Sequence, residues 1–549
     1  MLDDASPQAW QSEGISGEVP QRESRSLMNS TQAVYTRHAL LLRVAGIMAI
    51  LLLAFWVGMG PHWNYKYPLH VDEWFAMGFA QSTLDEGSLQ YPNAYGPGTI
   101  SYHHEMGFHL VLGTLKATTG LSWMGLYRLA PGILMALLVF MVYALGRRDG
   151  YGWAAALFVL LIPTSIRTLG PTFLVPVSAA MIFVPATLLV LHRLGSEGRG
   201  QSLWLLLILV GGTLLVYPPA EGIVTALVVL YLAAFVIEAV AARRYRAAGN
   251  LTGAIVIRML IPIIVIGIWL PSLSKTVLQE SVAGGETLKM VDYLGFNAGF
   301  FKAFGVIAVA IFLCGVLAFI LSRRYGLRTY ILPVFVGLLL LFLNVMYPRY
   351  QLGPEIIYER GWLYLGLFMA ILAGYGIAYY FRSAPALMKK ASNLLPHLRP
   401  DLLHAVIIFV GIAVIAAAMT TGLVNKEREQ YAGYYHMIDD QVYADFVWLG
   451  QHTIPEHKVV MMEPSLAWAY PPIAGPGNTV PGAVSAPLRS EWADQVRGVI
   501  ATGNIDIEWL KQQRVSVLYT RLPGSQEYTQ LENSYLSEVR PGIYLVSAQ

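Results

Sequence analysis

Stretches long enough to cross a bilayer recur in this chain without a charge, and that repetition excludes most folds. AVIIFVGIAVIAAAMTTGLV (405–424) is one such run, and GILMALLVFMVYALG (132–146) is the centre of another. About 20 apolar residues in a helix match the hydrocarbon core, and a helix satisfies its own backbone where water is absent. Of the 549 residues only 13% are charged, against roughly 25% in soluble domains. The chain is therefore expected to be an α-helical polytopic membrane protein. A net charge of +3 gives no reason to expect a nucleic-acid partner.

About eleven transmembrane helices are expected, near 39–60, 123–146, 151–166, 170–194, 202–217, 219–242, 254–271, 299–321, 329–346, 358–381 and 404–424. Loop charge orients them, because basic loops stay in the cytoplasm. Basic clusters follow alternate spans: Arg147–Arg148, then His192–Arg193 with Arg199, then Arg243, Arg244 and Arg246. Arg323, Arg324 and Arg328 form the next, and Arg382, Lys389, Lys390 and Arg399 the last. With the N-terminus inside, all of them face the cytoplasm and the C-terminus lies outside a multi-pass protein of the cell membrane. Residues 1–38, polar and aperiodic, read as a disordered cytoplasmic tail. The first apolar run starts too late, and is too long, for a cleaved signal peptide, so it is expected to be an uncleaved span.

The stretch GFHLVLGTLKATTG (107–120) is shorter and contains Lys116, and as a span it would invert every later loop. It is expected to lie in the outer interface as an amphipathic helix. The first outer loop then runs from 61 to 122, within a transmembrane domain of 39–424. Beyond it the pattern changes. DDQVYADFVWLGQHT (439–453), LRSEWADQVRGVIATG and IDIEWLKQQ have helical spacing, whereas KVVMM (458–462), VSVLYT and GIYLVS are strand-like. Residues 425–549 read as a small extracytoplasmic α/β domain, with Trp468, Tyr470 and Trp492 in its core. The one cysteine, Cys314, lies in an apolar run, so no intrachain disulfide supports that domain.

In this topology the acids and histidines near the membrane gather on the outer side. HVDEWFAMGFAQ carries Asp72 and Glu73, and YHHEMGFH carries His103, His104, Glu105 and His109. Glu221 follows Tyr217-Pro218-Pro219, Arg167 closes an outward-going span, and YPRYQLGPEIIYERG holds Arg349, Tyr358 and Arg360. Ionisable groups at a bilayer are costly and tend to mark function. Each also has a plainer reading. Asp72 suits the N-cap of the following helix, and Glu73 reads as solvated. Glu105 and His109 have the i, i+4 spacing of metal ligands and His104 stands beside them, but a convincing third and fourth ligand are lacking. Arg349 and Arg360 suit lipid headgroups. Arg360 immediately precedes GWLYLGLFMAILAG, where an arginine can snorkel or can grip a phosphate bidentately.

Taken in order, HVDEWFAMGFAQSTLDEGSL, YHHEMGFHLVLGTLKATTG, LGPTFLVPVS, VYPPAEG and ERGWLYLGLFMAILAGYG resemble the GT-C glycosyltransferases. That superfamily of polytopic membrane enzymes includes protein O-mannosyltransferases, aminoarabinose transferases and oligosaccharyltransferases. The likeness is greatest to the prokaryotic branch with a C-terminal α/β domain. It implies transfer of a hexosyl or pentosyl group from a polyprenyl-phosphate-linked donor to an acceptor hydroxyl at the extracytoplasmic face, with inversion. It also implies Asp72 as catalytic base or metal ligand, with Glu73 assisting, and Arg360 as the donor phosphate ligand. Arg349 and Arg167 are further phosphate candidates, and His103, His104, Glu105, Glu221 and Tyr358 complete the candidate site. The chain departs from the pattern in having YHHE where the mannosyl- and aminoarabinose transferases carry Pro-Pro. It also lacks a WWD-type motif, which argues against transfer of a whole oligosaccharide to asparagine.

The chemistry agrees with these residue types. A phosphate leaving group needs a cation more than an acid, and an acceptor hydroxyl needs a base. No organic cofactor is called for, and Mg2+ or Mn2+ held by His104, Glu105 and His109 is left open, with activity expected to survive chelation. The expected partners are the lipid-linked donor, membrane lipids, and a glycan, lipid or protein acceptor. A ligase or polymerase of lipid-linked polysaccharide would share such a site. A transporter would instead require paired broken helices with charges at the midplane, which the spans do not show.

Overall fold

In a computed structural model the apolar runs become helices. The structure describes residues 41–93, 95, 99–101, 105–164, 169–196, 199–243, 245–269, 299–321, 330–394, 400–428, 436–452, 460–475, 491–503, 505–521 and 528–547. The expected tail, 1–38, lies outside them. The chain divides into two compact units, Met1–Ile50 and Leu51–Gln549. Of the first, only the opening turns of a helix, 41–50, are described.

The helical part comprises α1 (Leu41–His62), α2 (Val71–Glu86), α3 (Met106–Thr119), α4 (Trp123–Gly146), α5 (Gly152–Val159), α6 (Pro176–Ala180) and α7 (Phe183–Ser196). It continues with α8 (Arg199–Val216), α9 (Pro218–Ala241), α10 (Tyr245–Trp269), α11 (Val306–Leu321), α12 (Ile331–Tyr350), α13 (Glu355–Leu394) and α14 (Pro400–Arg428). Among the described residues, seven helical stretches are long and apolar enough to span a membrane, and Gln201–Val216, Gly249–Val265 and Val306–Leu321 are shorter apolar helices. Ile208, Val306 and Phe409 stand exposed on such helices, apolar surface of the kind that lipid covers. The protein is a multi-pass membrane protein.

Ten of the expected spans coincide with these helices, and 151–166 does not. There the α-helix stops at Val159, after which Leu160, Leu161 and Ile162 bond three residues back in a tightening turn. Pro163 then restricts Ile162 and has no N–H to extend the ladder. Residues 169–175 are irregular, held by Ser178, whose hydroxyl bonds the carbonyls of Leu169 (2.7 Å) and Gly170 (2.9 Å). Irregular backbone at membrane level is tolerated when protein buries it, and Leu169, Phe173 and Leu174 are buried.

At the centre of the bundle α13 is buried from Trp362 to Ala373. It meets α5 backbone to backbone: a Cβ on Gly374 would lie 2.2 Å from the Ala155 nitrogen. This contact fixes α13 against its neighbour with no side chain between them.

In the first outer loop, α2 and α3 flank a short antiparallel pair, β1 (Gln90–Pro92) with β2 (Thr99–Ser101). The expected interfacial helix is α3, which buries Phe108, His109 and Leu112 and exposes Leu110, Val111 and Leu115.

The C-terminal region contains α15 (Asp440–His452), β3 (Val460–Met461), α16 (Pro464–Ala467), α17 (Tyr470–Ala474), α18 (Glu491–Thr502), α19 (Ile507–Gln512), β4 (Val517–Tyr519), β5 (Leu536–Arg540) and β6 (Ile543–Val546). Its sheet runs β3-β4-β6-β5, parallel between β3 and β4 and antiparallel elsewhere. Met461, Ile500, Leu510, Leu518 and Tyr544 form its core. Tyr470 belongs inside, edge-on to Phe446 at 5.2 Å, as expected of a core residue. Trp468 instead packs on Phe75 and Tyr95 of the outer loop, at 5.5 Å from each. The Trp492 side chain lies outside the described residues.

Candidate active site

The first turn of α2 separates its two acids. The N-cap is His70, whose extended backbone (φ −131°, ψ 156°) lets its ring Nδ1 accept from the Asp72 N–H at 3.2 Å. Asp72 is therefore not the cap. Glu73 closes the capping box from the other side and is fully buried, not solvated. Its Oε2 accepts from the N–H groups of Leu69 (2.5 Å) and His70 (3.3 Å), and its Oε1 from Leu174 N–H at 2.7 Å. One carboxylate thus ties the start of α2 to the irregular segment before α6. Burial pushes its pKa up to about 7 despite the three donors. Burial also lowers the His70 pKa, which keeps Nδ1 an acceptor.

Asp72, one residue earlier, points elsewhere. Successive helical residues are turned by about 100°, so Glu73 faces inward while Asp72 keeps 41% of its side chain exposed. Its Oδ2 lies 4.0 Å from Nη2 of Arg360, in the first turns of α13 and 19% exposed. That distance is too long for a direct hydrogen bond, so the two groups face each other without saturating each other. Arg360 hydrogen-bonds Tyr217, and Glu359 adds a third negative or polar neighbour. Tyr217 precedes two prolines, which hold it extended (φ −158°, ψ 93°) as the N-cap of α9 and point it out of the helix line. Glu105, at the N-terminus of α3, lies within electrostatic range of Tyr217. The glycine at 107 permits this approach, since a Cβ there would lie 2.6 Å from the Leu215 carbonyl oxygen. Four elements distant in sequence therefore deliver Asp72, Glu105, Tyr217 and Arg360 to one place. Chemically, the arrangement offers an accessible carboxylate facing a held guanidinium.

No protein-family model matches the sequence, and no curated protein matches it. Solved structures do. The chain superposes on the crystal structure of ArnT from Cupriavidus metallidurans bound to undecaprenyl phosphate, with 13% identity, a TM-score of 0.50, and 86% of this chain and 88% of that one covered. It also superposes on the cryo-EM structure of the arabinofuranosyltransferase AftD from Mycobacteria, with 14% identity and a TM-score of 0.55. That match covers 92% of this chain but only 40% of AftD. The chain has a GT-C fold.

Within the GT-C fold the other candidates scatter. Arg349 is exposed at the end of α12 and pairs with no acid among the described residues. Tyr358 is buried and stacks on Tyr347 at 4.5 Å. Glu221 is buried in the first turn of α9, its Oε1 accepting from the Thr225 hydroxyl at 3.0 Å. His109 is buried 5.5 Å from the Phe79 ring. His103, His104 and Arg167 lie outside the described residues. Among the described residues no three His, Cys, Asp or Glu side chains gather as a metal site would require. Sequence reasoning missed His70 as the cap and Tyr217 as the partner of Arg360. For Tyr217 the signal was the double proline that follows it.

Proposed function

We propose that this chain is a membrane glycosyltransferase that moves a sugar from a polyprenyl-phosphate donor to an acceptor hydroxyl at the extracytoplasmic face, with inversion. The observation that carries this reading is the approach of Asp72 to Arg360 at 4.0 Å across 288 residues of sequence. Arg360, steadied by Tyr217, holds the donor phosphate. Asp72 takes the proton of the acceptor hydroxyl as its oxygen bonds to the anomeric carbon from the face opposite the phosphate. The carbon–oxygen bond to phosphate breaks, and its electron pair leaves on the lipid phosphate. A single displacement inverts that carbon. Phosphate competes with Asp72 for the guanidinium, so donor binding frees the carboxylate to act as a base when it is needed.

In this scheme Glu73 and His70 are positioning residues, since backbone N–H groups already occupy Glu73. The alternating basic loops support the extracytoplasmic side. The undecaprenyl phosphate bound to ArnT supports a polyprenyl-phosphate carrier. The scheme uses no metal, so EDTA should leave turnover intact, and loss restored by Mg2+ or Mn2+ would contradict that part. The direct test is incubation of purified protein with radiolabelled polyprenyl-phosphate sugars. Release of lipid phosphate coupled to labelled product supports the proposal, and intact donors throughout the panel would overturn it.

A further inference from the structure

A cavity of about 910 Å3 lies where the outer loop meets the C-terminal domain. Its volume is that of a small-molecule site, and its wall is pinned in place. The Tyr65 ring stacks on His436 at 4.3 Å, and the Tyr65 hydroxyl donates to the Ile438 carbonyl at 2.8 Å while accepting from its N–H at 3.1 Å. His436 has φ +68°, a left-handed conformation that a histidine keeps only where its surroundings hold it.

Four charges of the wall are matched in two pairs. Lys66 Nζ lies 2.9 Å from Asp440 Oδ1, which also accepts from the Tyr67 hydroxyl at 2.7 Å. Arg521 is paired with Asp439. Arg128 adds a further cation, and Trp63 stands beside them 46% exposed.

Three ligand classes can be weighed against this wall. An apolar ligand would strip water from two ion pairs and replace none of its hydrogen bonds. A phosphate would meet only Arg128 outside these pairs, and would compete with Asp439 and Asp440 for the other two cations. A polyhydroxylated ligand meets neither cost, because its hydroxyls donate to the carboxylates and accept from the cations. Its C–H face also covers the exposed indole. The loop bearing the aromatic wall runs directly into the turn with Asp72.

We infer that this cavity binds a short neutral oligosaccharide, the glycan portion of the acceptor. The word acceptor rests on the transferase reading above, whereas saccharide binding does not. The test titrates full-length protein in lipid nanodiscs with arabinose, mannose and glucose trisaccharides, followed by saturation-transfer NMR. At least one should bind saturably. Trp63→Ala and Lys66→Gln should each weaken it about tenfold, the scale of losing a stacked ring or a charged hydrogen bond. Absence of saturable binding by all three overturns the inference. So does binding untouched in both variants at wild-type melting temperature, which would make Trp63 a membrane anchor. Saccharide binding without turnover of any donor would leave the cavity assigned and remove the transferase reading, and donor turnover without saccharide binding would do the reverse.

Discussion

One helix, α13, joins two regions of opposite character. From Trp362 to Ala373 it is buried and apolar, and at Gly374 its backbone touches α5. At its first turns Arg360 emerges among Tyr217, Asp72 and Glu359, partly exposed and 4.0 Å from the Asp72 carboxylate. The shaft has one possible packing, while the rim keeps groups apart that could have closed on each other. The difference teaches that the guanidinium is positioned from a distance. Close packing in the shaft supplies rigidity, and the rim is then free to hold two opposite charges short of a full salt bridge.

If this division holds, damage to the two regions should look different. The largest effect is expected in the shaft. Gly374→Val has no room beside Ala155, so no folded, monodisperse protein should be recovered after extraction, and a wild-type elution profile would break the comparison. At the rim, Arg360→Lys keeps the charge and loses the planar fork. It should melt like wild type yet bind donor about tenfold or more weakly, measured by titration with polyprenyl phosphate.

Glu73→Gln sits between the regions, since it leaves at least one of three buried N–H groups unpaired. A loss of about 1–3 kcal/mol is expected. Its pH dependence sharpens the point. The buried carboxyl keeps its proton up to about 7, whereas in the unfolded chain it releases it near 4.5, so between these values the folded state binds more protons. Stability from this group is then fully present below 4.5 and is lost as pH rises toward 7. The melting advantage of wild type over Glu73→Gln should shrink across that window. The neutral His70 acts with the opposite sign below its ordinary range, and comparison with the variant removes it. An advantage that grows with pH would mean that the three N–H donors outweigh burial.

Much of this was legible in the sequence, and the failures have physical causes. Charge-free runs and alternating basic loops are long-range averages, so the helical architecture was readable from them. Arg360 stood out as a charge at the edge of a span and Asp72 as one of two adjacent acids in an outer loop of a charge-poor chain, and the resemblance to GT-C glycosyltransferases assigned their roles. Glu73 was misread as solvated because adjacency in sequence says nothing about which of two neighbours, a third of a turn apart, faces the protein. Its partner Leu174 lies in the irregular stretch 169–175, where the expected span 170–194 begins six residues before its helix does. Tyr217 was hidden because a tyrosine at the end of an apolar run usually marks a membrane interface, and only the fold shows what its hydroxyl reaches.

The central claim is that Asp72 acts as a base while Arg360 holds the donor, and one pair of numbers on Asp72→Asn tests it most directly. Asparagine keeps the shape of the side chain and the backbone bond to His70 but cannot accept the proton. Turnover of the polyprenyl-phosphate sugar should fall by about 10²–10⁴, while affinity for the donor lipid stays equal or tightens as Arg360 loses a competing charge. Turnover within about threefold of wild type, on folded protein that binds donor normally, would contradict the account, because an effect of under about 1 kcal/mol is too small for the loss of a general base.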